Sequence, residues 1–261
     1  MSIVIEDFVS ERARRLTRYA IDQCQHMLVT GPRGSGKTEL ILHEARRAGR
    51  PFEVCHLGAT TDVEAALQGT TRLKNAETSF SRARFVDAVV HPFTVVVLEE
   101  LNRSLDGKTQ GILLPALDGQ RRLFIDQEEP GRRVVDVAEG VVFIATSNVG
   151  AAYTGTEPLD AALLDRMLKM RLDYSPRELE LLETHGLSRP DARLVLKIAK
   201  EIRRQAAGGV LTDSISTRGL VSVARMMQHG FELGEAFEAV VAVWDEESAI
   251  ALRTILKMGV K

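Results

Sequence analysis

One segment near the amino terminus restricts the folds open to this chain more than any other. The stretch GPRGSGKT, Gly31 to Thr38, follows a short apolar run and precedes a stretch of helical periodicity, ELILHEARRAG. Glycines at fixed spacing let a loop turn its backbone N–H groups toward an anion, and the start of the following helix adds a positive dipole end. The pattern G-x4-G-K-[ST] in this setting predicts a phosphate-binding loop of the Walker A type.

This loop assigns a chemical role to each of its residues. The glycines give the backbone its turns, the Lys37 ammonium reaches the β- and γ-phosphates, and the Thr38 hydroxyl binds Mg²⁺. ATP and Mg²⁺ are therefore the expected cofactors. The candidate nucleotide-binding residues are Gly31, Pro32, Arg33, Gly34, Ser35, Gly36, Lys37 and Thr38, together with Glu99.

Short β-branched runs alternate with longer helical patterns through the first two thirds of the chain. Such alternation is typical of parallel βαβ units. Several of the runs are apolar on both faces, as expected for strands covered by helices on each side of a sheet. The sequence predicts an α/β fold with a five-stranded parallel sheet, whose strands are His26 to Gly31, Phe52 to Leu57, Thr94 to Glu100, Val141 to Asn148 and Leu168 to Tyr174.

Two further patterns organise the rest of the chain. Residues 121–137 alternate on both sides of Glu129-Pro130-Gly131, which predicts a β-hairpin inserted ahead of the fourth strand. The β-type runs stop after Pro176, and only helical periodicity follows. We therefore expect an αβα nucleotide-binding core over residues 1–175 and a small all-helical lid over residues 176–261.

One aromatic residue in this second part is expected in the lid core. Trp244 lies at helical spacing from Phe237, Val240 and Val241. A stripe of large apolar side chains at that spacing is more often a packed face than a binding face.

The apolar run VVVLEELNR ends in two carboxylates, Glu99 and Glu100. The carboxyl ends of parallel strands face the ligand crevice of an open sheet. Phosphoryl transfer needs one acid there for Mg²⁺ and a second one to polarise the attacking water. We expect Glu99 to join Thr38 at Mg²⁺ and Glu100 to be the general base; for an isolated pair, two solvated carboxylates capping a strand would be the default. Glu99 stands where Asp is usual, and its extra methylene moves the carboxylate by about a bond length.

Composition excludes several classes of protein. With 44% hydrophobic and 27% charged residues, the chain is neither disordered nor collagen-like, and its apolar runs are too short for a membrane span. The 34 Lys and Arg against 36 Asp and Glu leave a net charge of −2, which weighs against nucleic acid as the main partner. Two unpaired-looking cysteines and no visible signal peptide favour the cytoplasm.

Together these motifs make the chain similar to the MoxR-type AAA+ ATPases, near the CbbQ, NorQ and GvpN groups. The resemblance covers roughly Gln25 to Met226. Beyond GPRGSGKT, the stretch TTRLKNAETSFSRARFVDAVVHPFTVVVLEELNRS resembles the family's segment from the helix 2 insert through Walker B to its Glu-Leu/Ile-Asn-Arg motif. The hairpin over residues 121–137 corresponds to the family's presensor 1 insertion.

The resemblance also implies roles for four further residues. Asn148 matches the sensor 1 residue that orients the lytic water; from the residues alone, an ordinary Asx turn would be the commoner explanation. Arg166, in GAAYTGTEPLDAALLDRM, matches the arginine finger that acts on the neighbouring subunit; without the family, a helix-terminal Arg paired with Asp165 or solvent would be favoured. Arg218, in ISTRGLVSVARMM, matches the sensor 2 arginine, acting in its own site or at a subunit interface. Arg103 is a further candidate for interface contacts.

The family implies a ring of about six subunits that hydrolyses ATP and remodels a client protein, often with a partner that contains a von Willebrand factor A domain. Two alternatives stay open. One is a DNA-associated AAA+ motor or loader, in which the Arg132-Arg133 doublet of the hairpin would contact DNA, although no extended basic stripe accompanies it. The other is a slow-turnover, nucleotide-gated scaffold, for which Glu99 is the only hint.

Overall fold

The computed structural model describes residues 8–59, 62–74, 77–103, 107–148 and 160–259. Within these residues a five-stranded parallel sheet forms the centre of the molecule, in the order β2-β5-β8-β1-β9. The predicted α/β class with a five-stranded parallel sheet is confirmed. The strands are β1 (Met27–Gly31), β2 (Phe52–His56), β5 (Val95–Glu99), β8 (Val142–Asn148) and β9 (Leu168–Arg171).

The register of this sheet brings the ends of its strands to one edge. Gly31 of β1 pairs with Asn148 of β8, and His56 of β2 pairs with Glu99 of β5. Strands β5 and β8 are buried along almost their whole length, because both lie inside the sheet and are covered on both faces. The polar residues that end these strands therefore meet at the carboxyl edge, where a parallel sheet places its ligands.

Helices cover both faces of the sheet. Successive residues of a strand point to opposite faces. Val95 and Val97 accordingly pack in one apolar cluster with the first two helices, while Val96 and Leu98 pack in another. The helices of this part are α1 (Glu11–Asp22), α2 (Lys37–Arg47), α3 (Val63–Leu67), α4 (Arg84–Val89), α5 (Gly107–Leu117) and α6 (Ala161–Asp165).

Two antiparallel hairpins project from this core and touch each other. The predicted hairpin is present as β6 (Arg122–Phe124) and β7 (Val134–Asp136). The other hairpin, β3 (Gly69–Lys74) and β4 (Glu77–Arg82), was not predicted from the residues as a hairpin. Arg82 Nε lies 2.7 Å from Glu128 Oε2, and Gln68 Nε2 donates to the Phe124 carbonyl at 2.8 Å. We refer to these two connected elements as the hairpin pair.

The carboxyl-terminal part is all-helical, as predicted. Its helices are α7 (Glu178–Thr184), α8 (Arg189–Ala207), α9 (Thr217–Gln228), α10 (Leu233–Val240) and α11 (Glu246–Gly259). Ser188 and Ser216 cap α8 and α9 by accepting a backbone N–H in the first turn. These helices share an apolar cluster of their own that includes Phe237. The division into two domains at residue 175 stays a prediction.

The expectation for Trp244 is wrong, because its side chain is 84% exposed. Trp244 lies between α10 and α11, so helical periodicity does not apply to it.

Among the described residues, no helix combines the length and apolar character that crossing a membrane requires.

Candidate functional site

The Walker A loop joins β1 to α2 in a conformation that requires glycine. Gly31 and Gly34 have positive φ angles of 155° and 71°. A Cβ atom on Gly31 would lie 2.0 Å from the Leu172 carbonyl oxygen, and one on Gly34 would lie 2.7 Å from the Cβ atom of Ser216. The loop is therefore packed against the strand end on one side and against the cap of lid helix α9 on the other.

Lys37 opens α2 with its side chain folded back over the loop. Its ammonium donates to the carbonyls of Gly31 at 3.0 Å and Pro32 at 2.8 Å, and to Asn148 Oδ1 at 2.8 Å. Burial lowers the pKa of Lys37 to about 8, and the nearby carboxylates of Glu100 and Glu99 act in the opposite direction. A phosphate group in the loop would add negative charge beside this ammonium and favour its charged form.

Thr38 and Glu99 lie together at the start of α2 and the end of β5. The Thr38 hydroxyl donates to Glu99 Oε1, and His56 Nδ1 contacts the other oxygen of the same carboxylate. A hydroxyl and a carboxylate are the hard oxygen donors that Mg²⁺ prefers, and Mg²⁺ beside phosphates typically takes only one or two protein ligands. Over the described residues there is no group of three or more His, Cys, Asp or Glu side chains that could hold a metal by itself. The pair therefore fits an ion that is held jointly with a nucleotide.

Glu100 follows directly, with a backbone φ of 56° that is rare outside glycine. Its carboxylate accepts a hydrogen bond from Asn148 Nδ2 at 2.9 Å and lies 3.2 Å from an Arg103 guanidinium nitrogen. Its backbone N–H donates to the hydroxyl of Thr146 at 3.2 Å. Non-glycine residues in such conformations cluster at functional sites. The turn aims the second carboxylate of the pair at the same edge as Lys37.

These residues line one cavity of about 570 Å³ between the loop and the ends of the strands. A second space of about 420 Å³ adjoins it under helix α9. Exposed Arg218 lines both spaces, and so do Arg33, Gly34, Glu100 and Asn148. The Ser35 hydroxyl is buried and has no hydrogen-bond partner in the part of the chain that the structure describes. The loop thus keeps an unsatisfied polar group, and its residues fit a nucleoside triphosphate.

Arg166 is placed differently from the other candidates. It follows α6 directly and donates to the Ala162 carbonyl at 2.6 Å, and it does not line either space at the loop. Its Nε is buried without a partner, and no ion pair with Asp165 is found, among the described residues. Residues 149–159 of the matching segment lie outside the described part of the chain.

Sequence reasoning missed several polar residues that hold this site together. Thr146 lies two residues before Asn148 on the same buried strand, so the period of two could have placed both on one face. Asn102 donates to the Asn148 carbonyl at 3.0 Å, while its own carbonyl oxygen is buried without a partner among the described residues. His56 belongs to an edge strand, and no pattern in the sequence singles it out.

Comparison with known proteins adds to this geometry. Residues 26–167 match the family described as AAA domain, dynein-related subfamily, and residues 178–257 match the family described as CbbQ/NirQ/NorQ C-terminal. The chain is 30% identical over 228 residues to BssE of Thauera aromatica, which is named as a candidate chaperone; the match covers 86% of this chain and 77% of BssE. It is also 30% identical to protein NorQ of Paracoccus denitrificans, over 82% of this chain and 78% of NorQ. The gas vesicle ATPase GvpN of Ancylobacter aquaticus is 25% identical, over 83% of this chain and 65% of GvpN.

Solved structures share the fold at much lower identity. A Thermotoga maritima RuvB mutant superposes with a TM-score of 0.56 at 14% identity, over 100% of this chain and 74% of RuvB. NtrX of Brucella abortus in complex with ADP gives a TM-score of 0.56 at 16% identity, and the chain spans only 61% of NtrX. These likenesses support the αβα core with a helical lid.

Proposed function

The chain belongs to the MoxR-type AAA ATPases of the CbbQ/NorQ/NirQ/GvpN group, and on that premise we propose that it forms a ring, of six copies by analogy with its family, which hydrolyses ATP with Mg²⁺ to remodel or activate a partner protein. Its activity as a P-loop ATPase follows from the family. The ring, the metal and the partner are the parts that need experiment.

The site residues divide the chemistry among themselves. The loop N–H groups and the Lys37 ammonium hold the β- and γ-phosphates, and Asn148 keeps Lys37 and Glu100 in register by bonding both. Glu100 accepts a proton from the attacking water as the general base. Thr38 and Glu99 would hold Mg²⁺, which neutralises charge on the phosphate oxygens when bound.

The position of Arg166 supports a composite site. A cation that stabilises the transferring phosphoryl group must contact it, and Arg166 lies outside the cavity of its own subunit. We propose that Arg166 completes the site of the neighbouring subunit as an arginine finger. Arg218, by contrast, already lines the cavity in its own chain, which favours an action there.

The lid offers a route from the nucleotide to a partner. Helix α9 begins at Ser216 against Gly34 of the loop, so a change at the phosphates alters the contact between core and lid. The name of BssE points to chaperone work for that relative. We propose a protein client here as well, handled together with a partner that contains a von Willebrand factor A domain. Because Cys24 and Cys55 are free thiols, a reducing cytoplasm is the proposed location.

Turnover measured against protein concentration tests the ring. We expect wild-type ATPase activity to rise cooperatively as the protein assembles, while Glu100→Gln and Arg166→Ala each lose at least about a hundredfold in kcat. Lys169→Ala, which removes an exposed cation three residues from Arg166, is the matched control and should keep wild-type activity. Equal activity per subunit at all concentrations would contradict the ring.

Mixing the two inactive variants tests the trans assignment directly. In randomly mixed rings, about a quarter of the subunit contacts pair an intact Glu100 with an intact Arg166 of the neighbour. We expect about that fraction of wild-type activity to return on mixing. If both variants assemble with each other and activity stays absent, Arg166 is not a finger in trans.

The metal assignment needs its own measurement. Glu99→Gln keeps a group that can bond Thr38 but lacks the charge, so the Mg²⁺ concentration for half-maximal ATPase activity should rise about tenfold. Glu39→Gln removes an exposed carboxylate that lines the same cavity and should leave the Mg²⁺ dependence unchanged. Equal Mg²⁺ dependence in both variants would remove Glu99 from the metal site.

A further inference from the structure

The helical lid carries a groove that lies apart from the candidate ATPase site. Its volume is about 920 Å³, larger than either space at the Walker A loop, and it shares no lining residue with them. It is lined by Pro176 and by residues of helices α7, α8 and α11, and we call it the lid groove.

One edge of the lid groove is a row of cations on helix α8. Arg193, Lys197, Lys200 and Arg204 are separated by four, three and four residues, so they lie on one helix face, and all four are exposed. Arg204 pairs with Glu201, the one acid in the lining. Within the described residues the other three cations have no ion pair.

The floor of the lid groove is apolar. Leu179 of α7 and Leu196 of α8 are only partly buried, and both pack on the apolar cluster of the lid. Ile198 of α8 and Ile255 of α11 lie beneath them and are almost fully buried, so Leu179 and Leu196 supply the exposed apolar surface of these four. A row of cations beside an apolar surface is complementary to a ligand that presents apolar side chains next to carboxylates.

The position of the lid groove in the chain separates it from the hydrolytic machinery. All its lining residues except Pro176 fall within residues 178–257, which match the CbbQ/NirQ/NorQ C-terminal family and not the AAA domain. The groove thus belongs to the part of the chain that this group's own carboxyl-terminal family describes.

We propose that the lid groove binds an acidic amphipathic helix of the partner protein. This inference rests on the proposed function, because it assumes that a partner protein exists and identifies the surface that binds it. The four cations lie within a 12-residue stretch of α8 that is about 16 Å long, which corresponds to about three turns of a bound helix. Apolar side chains of that helix fill the floor between α7 and α11, while its carboxylates face the row of cations.

A protein helix fits the lid groove better than a nucleic acid does. A phosphate backbone would contact the cations but would gain nothing from the leucine side chains of the floor. The chain as a whole also carries a net charge of −2, with no general field for a polyanion.

The probe is a fluorescent helical peptide of about 16 residues, with leucine along one face and glutamate beside it. Anisotropy with the full-length protein, without nucleotide, gives its affinity. We expect wild type to bind it, and the double variant Lys197→Glu/Lys200→Glu to bind it at least about tenfold more weakly. The matched control is Arg12→Glu/Arg15→Glu, which reverses two exposed cations on α1 outside the groove and should bind within about twofold of wild type.

Two control peptides and a DNA competitor distinguish this mode of binding from others. A peptide with Gln for Glu, and one of equal composition without an apolar face, should both bind at least about tenfold more weakly than the probe. The proposal is overturned if wild type does not bind the probe, if these peptides bind equally well, or if the groove variant keeps full affinity. It is also overturned if a single-stranded DNA of about 20 nucleotides competes more tightly than the peptide at the same surface.

Activity measurements keep the proposal apart from the proposed function. ATPase activity and assembly of Lys197→Glu/Lys200→Glu should equal those of wild type. If both collapse in that variant, the lid groove is a contact between copies of this chain and the proposal fails. Peptide binding is measured without ATP and does not depend on turnover. If the ATPase activity of wild type does not change with protein concentration, the proposed ring is contradicted and the groove assignment is unaffected.

Discussion

The carboxamide nitrogen of Asn148 lies 2.9 Å from Oε1 of Glu100, and the carboxamide oxygen of the same side chain accepts from Lys37 at 2.8 Å. Asn148 thus links Lys37, which we propose holds the phosphates, to Glu100, which we propose takes the proton. Such an arrangement couples phosphate position to the activation of water.

Replacing Asn148 with alanine should therefore lower kcat more than it lowers nucleotide affinity. We expect a loss of about tenfold to a hundredfold in kcat, because Glu100 loses its orienting donor. ATP affinity should fall less than about threefold, since Lys37 keeps two carbonyl partners. Steady-state turnover and equilibrium binding of a fluorescent nucleotide measure the two effects. An unchanged kcat would exclude Asn148 from the catalytic step.

The contact between Gly34 and Ser216 predicts a steric link between loop and lid. Gly34→Ala adds a Cβ at 2.7 Å from the Cβ of Ser216, at a φ that disfavours alanine. We expect nucleotide binding to weaken at least about tenfold while far-UV circular dichroism stays native. The double variant with Ser216→Gly removes the clashing atom and should recover part of the affinity. Wild-type binding by Gly34→Ala alone would show that this contact does not constrain the loop.

The lid contains a buried ion pair that should be costly to break. Glu178 accepts from two nitrogens of Arg203, at 2.7 and 2.8 Å, and from the Thr217 hydroxyl at 2.6 Å. The Arg203 guanidinium also stacks on Tyr174, 3.5 Å from the ring centre. Arg203→Met leaves a buried carboxylate without its counter-charge and should cost about 3–5 kcal/mol.

Chemical denaturation of Arg203→Met measures this cost. Adding Glu178→Gln to the same variant removes the unpaired charge, so the double variant should be more stable than Arg203→Met alone. A double variant that is less stable than Arg203→Met would show that the unpaired charge of Glu178 is not the main cost of removing Arg203.

His26 predicts a dependence of stability on pH. Burial and the charge of Arg121 lower the pKa of His26 to about 4, and its Nδ1 accepts the Phe143 N–H at 3.1 Å. Between pH 6.5 and pH 4 the unfolded chain binds a proton at this site that the folded chain does not, so stability falls as the pH is lowered through this range. The loss from this one group is at most about 3 kcal/mol.

Replacing His26 with glutamine isolates that contribution. Gln keeps an acceptor for Phe143 and does not titrate, so the difference in unfolding free energy between wild type and His26→Gln should shift toward the variant as the pH falls from 7 to 4. Parallel pH profiles of the two proteins would contradict the assignment. Carboxylates titrate in the same pH range, but their contributions are common to wild type and His26→Gln and cancel in the difference between the two unfolding free energies.

Much of the site could be predicted because it follows from local rules. A glycine-rich loop after a strand, and acids or an amide at the ends of neighbouring strands, are recognisable one segment at a time. The pairing of Gly31 with Asn148 then brings distant segments together without further information.

The unpredicted parts depend on contacts between segments far apart in the chain. Glu178 and Arg203 look like ordinary surface residues until α7 and α8 pack. Trp244 was misplaced because periodicity was extended beyond the end of α10.

The connection within the hairpin pair has a mechanical consequence. A two-stranded ribbon by itself bends and twists easily. The Arg82–Glu128 pair and the bond from Gln68 to Phe124 join the base of the β3–β4 hairpin to the turn end of the β6–β7 hairpin. The first hairpin is followed by α4 and β5, and the second is followed by β8. Because β5 ends in Glu99 and β8 ends in Asn148, we expect a movement of the joined hairpins to reach the candidate nucleotide site through these two strands.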